Sequence, residues 1–229
     1  MRVVRLAASF AALTLIAACG SQPTSAARSG SPTPSPSPTP SPSPTPEPLP
    51  AGALRFAILA TRSVGTIRVN EVIAAVQVPG EAVVRTTAFS GSLVLLADGS
   101  FAKGSLIAAD LDALKSDNDL RDEWIKFNTL NTRVYPRAEF APARLVGVPL
   151  PLAATGQWSA TLEGTMRIHG VEKALSWPVD VARSAGEVHA KGRLTFKFGD
   201  YGMDVPANRL ILSVKDEVRL EIDVVAKDD

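Results

Sequence analysis

Few side chains in this sequence are of a type and spacing that could do chemistry. Arg121 and Asp122 stand side by side, just after the run Asp117-Asn118-Asp119. A guanidinium can pair bidentately with a phosphate, so Arg121 and Asp122 are candidates for holding a polar head group; the structural alternative is an ion pair or cap at a helix start. Asp117-Asn118-Asp119 hints at a calcium loop, but Asp122 occupies the sixth position, where such a loop requires glycine, and calcium is not expected. His169 and His189, the two histidines, both fall on the polar face of alternating segments, which favours solvated or turn-packing roles over metal ligation. No His-Glu-x-x-His, Gly-x-Ser-x-Gly, phosphate loop or cysteine pair occurs. Hydrolase, nucleotidyl-transfer and redox chemistry therefore lack visible machinery, and neither a catalytic residue nor a metal or cofactor is expected.

The one cysteine points to a different chemistry. Cys19 closes the run Leu15-Ile16-Ala17-Ala18-Cys19, directly after a short apolar stretch that follows Arg2 and Arg5. The arrangement resembles the lipobox of bacterial lipoproteins, in which the cysteine sulfur is acylated and cleavage leaves that cysteine as the first residue. Residues 1–18 are then a signal peptide, an address rather than structure, and the mature chain has no free thiol. Leu6 to Ala18 is too short to cross a bilayer, which takes about 20 apolar residues. The chain is expected to be anchored to a membrane without spanning it, firmly so if it carries two or more acyl chains. Gly20 follows Cys19 where inner-membrane lipoproteins commonly carry aspartate, so the resemblance implies the outer membrane of a two-membrane host, or the outer face of the cell membrane otherwise.

Behind the cysteine, residues 19–50 cannot build a core. From Ser31 to Pro48 proline takes nearly every second position, separated by Ser and Thr until Glu47. Prolines fix φ and remove amide donors, so the segment is expected to be an extended, semi-rigid tether. About thirty such residues at about 3.1 Å each reach on the order of 90 Å. The remainder, 51–229, is long enough for one domain that buries about 70% of its unfolded surface. With 24 basic against 23 acidic residues scattered along the chain, no net field attracts phosphate backbones, and nucleic acid is not an expected partner.

The positioning elements of this domain follow a period of two. Trp158, Ala160, Leu162, Gly164, Met166 and Ile168 alternate with Ser159, Thr161, Glu163, Thr165, Arg167 and His169. Leu175 to Val181, Val188 to Phe198 and Val218 to Val224 repeat the pattern. Such alternation predicts antiparallel strands with one buried and one wet face. Gly170 and Ala185-Gly186 fall where turns are needed. Thr66 to Val72, Val83 to Leu96 and Gly104 to Asp110 read as further strands, separated by Pro79-Gly80 and Asp98-Gly99-Ser100. Asp119 to Asn128 is the exception, because Leu120, Trp124 and Phe127 keep helical spacing behind a cap at Asp117 or Asp119. The domain is therefore all-β with one short helix, and periodicity leaves sandwich and barrel both open.

Several motifs, in order, resemble the YceI-like family of lipocalin-like, polyisoprenoid-binding bacterial envelope proteins. They are Arg121-Asp122 opening the helix, Tyr135-Pro136-Arg137-Ala138-Glu139-Phe140, Met166-Arg167-Ile168-His169-Gly170-Val171 and Phe198-Gly199-Asp200-Tyr201-Gly202. Ser63-Val64 and Phe89-Ser90-Gly91 are similar to the family's early strands. The stretch after Ser63 lacks the aromatic and histidine residues common there, and Lys197-Phe198-Gly199-Asp200-Tyr201 replaces a commoner Arg-x-Asp-Phe-Gly. The resemblance implies an extended eight-stranded antiparallel barrel whose tunnel takes a long apolar chain such as a polyisoprenoid, a quinone tail or a fatty acyl group. Wall candidates are Trp158, Leu162, Met166, Trp177, Phe196 and Phe198, with Trp124 and Phe127 capping one end. The function implied is carriage or storage of that lipid in the envelope. The alternative is a barrel packed solid, serving as a structural or interaction module without a ligand.

Overall fold

Strands whose side chains alternate need tight turns at their ends, and two hairpins here show how the sequence supplies them. His169-Gly170 and Ala185-Gly186 each place two consecutive residues at positive φ, 50° and 77° in the first pair and 51° and 75° in the second. That is type I′ geometry, whose twist matches that of the strands it joins. The computed structural model describes residues 49–75, 77–209 and 211–228. Cys19, the signal peptide and the tether as far as residue 48 lie outside the described residues.

In chain order the strands are β1 Leu54–Ile58, β2 Val64–Ile73, β3 Pro79–Thr86, β4 Phe89–Leu95, β5 Leu106–Asp110, β6 Arg137–Val146, β7 Gly156–Ile168, β8 Val171–Ser184, β9 Glu187–Phe196, β10 Ile211–Val214 and β11 Val218–Asp228. Helix α1, Asp119–Trp124, lies between β5 and β6 and runs on into a π-helical turn, Ile125–Thr129. β1 with β2, β3 with β4, and β10 with β11 are three long staves, each interrupted once. The eleven segments therefore make eight staves, each paired antiparallel with the next, and β11 returns to β1 and β2 to close the ring. Closure gives every stave two neighbours and an inside that side chains can fill or leave empty.

The seam is sealed where β1 breaks into β2. Across this break, at the 3-10 turn Ala60–Arg62, the amide of Leu59 donates to the carbonyl of Val225 at 2.8 Å. The hydroxyl of Ser63, 1% exposed, accepts from the Val225 amide at 3.0 Å and donates to the Leu59 carbonyl at 2.8 Å. One serine thus replaces the ladder bonds that the bend removes.

Several elements differ from the sequence expectation. The strand read over 83–96 is two, β3 and β4, bent at 87–88, and β3 starts at Pro79 itself. β6 goes unpredicted because Pro142 interrupts its pattern; the structure accommodates it where the register slips between Pro142 and Arg144, the kind of irregularity that tolerates proline in a sheet. The helix cap is Asn118, between the two aspartates expected, with its side chain accepting from the Arg121 amide at 3.1 Å. β9 ends at Phe196, and Phe198 lies in a 3-10 turn, Phe198–Tyr201.

The far end of the barrel, away from α1, is packed except for a void of about 70 Å³. Phe56, Leu95, Leu145, Leu152, Val179 and Val181 are all buried. Arg183, 6% exposed, closes this end: it donates to the carbonyl of Leu152 at 3.1 Å and to Asp228 at 2.9 Å, and lies over the Phe56 ring.

Candidate functional site

At the end where α1 lies the interior opens into a cavity of about 900 Å³. Its wall is carbon almost throughout, supplied by inward positions of β2, β3, β5, β6, β7, β8, β9 and β11. The register shows where room is left. Among larger side chains of the wall stand Ala82, Thr86, Ala109 and Ala138, and Ala109 pairs directly with Ala138 across β5 and β6. Small side chains at adjacent inward positions leave space that their neighbours cannot fill.

The deeper wall is aromatic. Phe140 and Trp177 meet edge to face with centroids 5.8 Å apart. Two glycines make room for them: a Cβ on Gly164 would come within 2.7 Å of the Phe140 ring, and one on Gly192 within 2.8 Å of Trp177 Nε1. Trp177 is 2% exposed, and among the described residues its ring N–H has no hydrogen-bond partner.

Helix α1 and its π-helical turn form a lid across the mouth. Leu120, Trp124, Ile125 and Phe127 all line the cavity, yet Leu120 is 71% and Phe127 44% exposed, so the cavity reaches the surface between them. The guanidinium of Arg133 rests 4.5 Å from the centre of the Phe127 ring. Arg121 fastens the lid to the barrel. Its Nη2 donates to Glu71 of β2 at 2.8 Å, its Nη1 to Asp117, and both Arg121 and Glu71 line the cavity. Asp122 faces away from the cavity and is 2% exposed; its Oδ1 accepts from the Ser116 amide at 2.8 Å and hydroxyl at 2.6 Å, and Lys115 stands 3.4 Å from Oδ2. Burial opposes its charge, but the hydrogen bonds from Ser116 and the Lys115 ammonium outweigh it and hold the carboxyl below the usual aspartate range.

Of the residues singled out by sequence as tunnel wall, Trp124, Phe127, Leu162, Met166, Trp177, Phe196 and Phe198 line the cavity. Trp158 does not: it stands near the start of β7, opposite Val181, and packs partly buried against the far-end core. Arg121 and Asp122 both lie in α1, Arg121 in ion pairs with Glu71 and Asp117 and Asp122 accepting from Ser116 in the turn that precedes the helix. Pattern reading passed over Ile67, Val84, Phe89, Leu111 and Phe140, which also line the cavity. Ile67, Val84, Phe89 and Phe140 lie within segments that the sequence marks as strand or motif, so an inward-facing count on those segments finds them; Leu111 lies just beyond one. Among the described residues no group of three or more His, Cys, Asp or Glu is placed to hold a metal ion, and no helix is long and apolar enough to cross a membrane.

Comparison with known proteins places the barrel. It is similar to a polyisoprenoid binding domain from Saccharophagus degradans implicated in plant cell wall breakdown, at 16% identity over 77% of this chain and 99% of that one, with a TM-score of 0.58. It is also similar to BcnA of Burkholderia cenocepacia, at 18% identity over 74% of this chain and 99% of that one, with a TM-score of 0.55. At these identities it is the fold that is shared. No curated protein matches the sequence. The profile of the YceI-like domain, by contrast, matches residues 58–226, from the end of β1 almost to the end of β11 and so round the whole ring, and the chain belongs to the YceI-like family.

Proposed function

We propose that this protein is a membrane-anchored lipoprotein that holds a long apolar molecule, of polyisoprenoid, quinone-tail or fatty acyl type, in its barrel for carriage or storage in the cell envelope. The single observation that carries the reading is the cavity of about 900 Å³ with a wall almost wholly of carbon. A space of this size lies within the usual range for ligand pockets. Each methylene moved into it from water contributes about 0.8 kcal/mol, so a long chain binds tightly without any specific polar contact. The similar domain from Saccharophagus degradans is described as polyisoprenoid binding, which agrees with the reading. Acylation of Cys19 would supply the anchor, and the tether the reach, at the outer membrane of a two-membrane host or on the outer face of the cell membrane otherwise. The site is proposed to bind and shield, with no reaction assigned to it.

The test is native mass spectrometry of the full-length protein isolated from a bacterial envelope, followed by extraction of any bound molecule. A stoichiometric long-chain lipid is the expected result. A clean apo mass that persists after incubation with prenyl and acyl lipids would overturn the carrier reading.

A further inference from the structure

Below the large cavity, toward the packed end, lies a second void of about 70 Å³. The two spaces share three lining residues, Ile107, Leu162 and Val224. These come from β5, β7 and β11, separated from one another round the ring, so the two spaces adjoin where these three side chains border both. Leu162 and Val224 are buried, and Leu162 stands in register with Leu145 on β6 and Trp177 on β8. Of its neighbours, Leu145 lines only the smaller void and Phe140 and Trp177 only the larger, so Leu162 stands between the two.

We infer that Ile107, Leu162 and Val224 are a ruler that sets the length of chain the barrel accepts. The inference rests on the carrier function proposed above and deepens it. At ~30 Å³ per water-sized group, close to the share of a methylene, a cavity of about 900 Å³ has room for about thirty carbons. A shorter chain leaves wall atoms without contacts. A longer one reaches the floor and leaves its remainder in water at the mouth, where added methylenes gain nothing from burial. Retention therefore rises with chain length to about thirty carbons and then levels. The floor is one layer thick, because the smaller void begins directly beneath it. Cutting Leu162 to alanine removes three carbons and joins the two spaces; with room for about two more carbons in 70 Å³, the limit lengthens by about five carbons, one isoprene unit.

The experiment uses the full-length protein, purified from the envelope in detergent, stripped of lipid and offered a graded series of prenyl alcohols from farnesol to undecaprenol. The bound distribution is read by native mass spectrometry. Wild type is expected to level off near thirty carbons, Leu162→Ala about one isoprene unit later, and Leu162→Phe earlier. Ile107→Ala repeats the lengthening from another strand, so a poorly folding Leu162 variant does not decide the matter. An unchanged limit in Leu162→Ala and Ile107→Ala, with all proteins loaded, overturns the ruler and leaves the carrier function standing. No uptake by any of them, wild type included, overturns both.

Discussion

The two ends of this barrel are built on the same staves and are each fastened by an arginine, yet one is packed and the other hollow. At the far end Arg183 reaches Asp228 and the Leu152 carbonyl over a floor of Phe56, Leu95, Leu145 and Val181. At the mouth Arg121 reaches Glu71 and Asp117, but the residues beneath it include Ala82, Ala109 and Ala138, and the side chains of its own helix span the opening without filling it. The difference teaches that alternation makes a wall and leaves open what the wall encloses. Side-chain volume, level by level, decides whether the inside is core or cavity.

The largest expected effect comes from making the two ends alike. Ala138→Phe adds six carbons to the cavity wall and should cost bound lipid on the order of 5 kcal/mol, at about 0.8 kcal/mol per displaced methylene, while thermal stability holds or rises. Ala226→Phe, the same exchange in the packed half, should instead destabilise by about 1–3 kcal/mol through overpacking. Lipid retained on purification, measured beside the melting temperature, distinguishes them; similar outcomes at both sites would break the comparison. Truncation reverses the contrast. Phe56→Ala should cost about 3–5 kcal/mol in urea unfolding, and Phe196→Ala clearly less, because Phe56 is buried beside only the 70 Å³ void whereas Phe196 is half-buried and borders the 900 Å³ cavity.

Ser63→Ala tests the seam that both halves share. It strands the buried amide of Val225, for an expected loss of about 1–3 kcal/mol, and should raise hydrogen exchange along β1 and β11 ahead of the other strands. The smallest effect separates the lid from the floor by pH. The folded pKa of Asp122 lies below its unfolded value, so its contribution is complete above about 3.9 and is lost as the pH falls from there through the folded value. Hydrogen exchange over residues 116–130 should therefore accelerate in that acid window while the far-end strands stay protected. Simultaneous loss of protection at both ends would show that the lid has no independent fastening.

Much of the fold was legible because its signals are local. The strict alternation of 158–168 and 218–224 and the turn signals Gly170 and Ala185-Gly186 name strands and hairpins on their own, since side-chain direction and positive φ act within a few residues; that His169 belongs to the turn and not to the strand shows only in its backbone. β6 escaped because Pro142 breaks its pattern, and only a partner strand shows that the break is a register shift. Trp158 and Leu162 face the same way on one strand and look equivalent in sequence, yet one packs beside the far core and the other divides the interior.

Sequence alone fixes which residues alternate, where the chain turns at Gly170 and Ala185-Gly186, and that a short helix begins at Asp119, because each of these is settled within a few residues. The tertiary fold alone settles that the eighth stave returns to the first beside Ser63, that Ala109 and Ala138 fall at the same level, and that Ile107, Leu162 and Val224 border both voids. The reason is that closure and void are properties of residues distant in sequence and matched in height. That height is fixed by the stagger of hydrogen-bonded strands around a closed ring, and no single segment contains it.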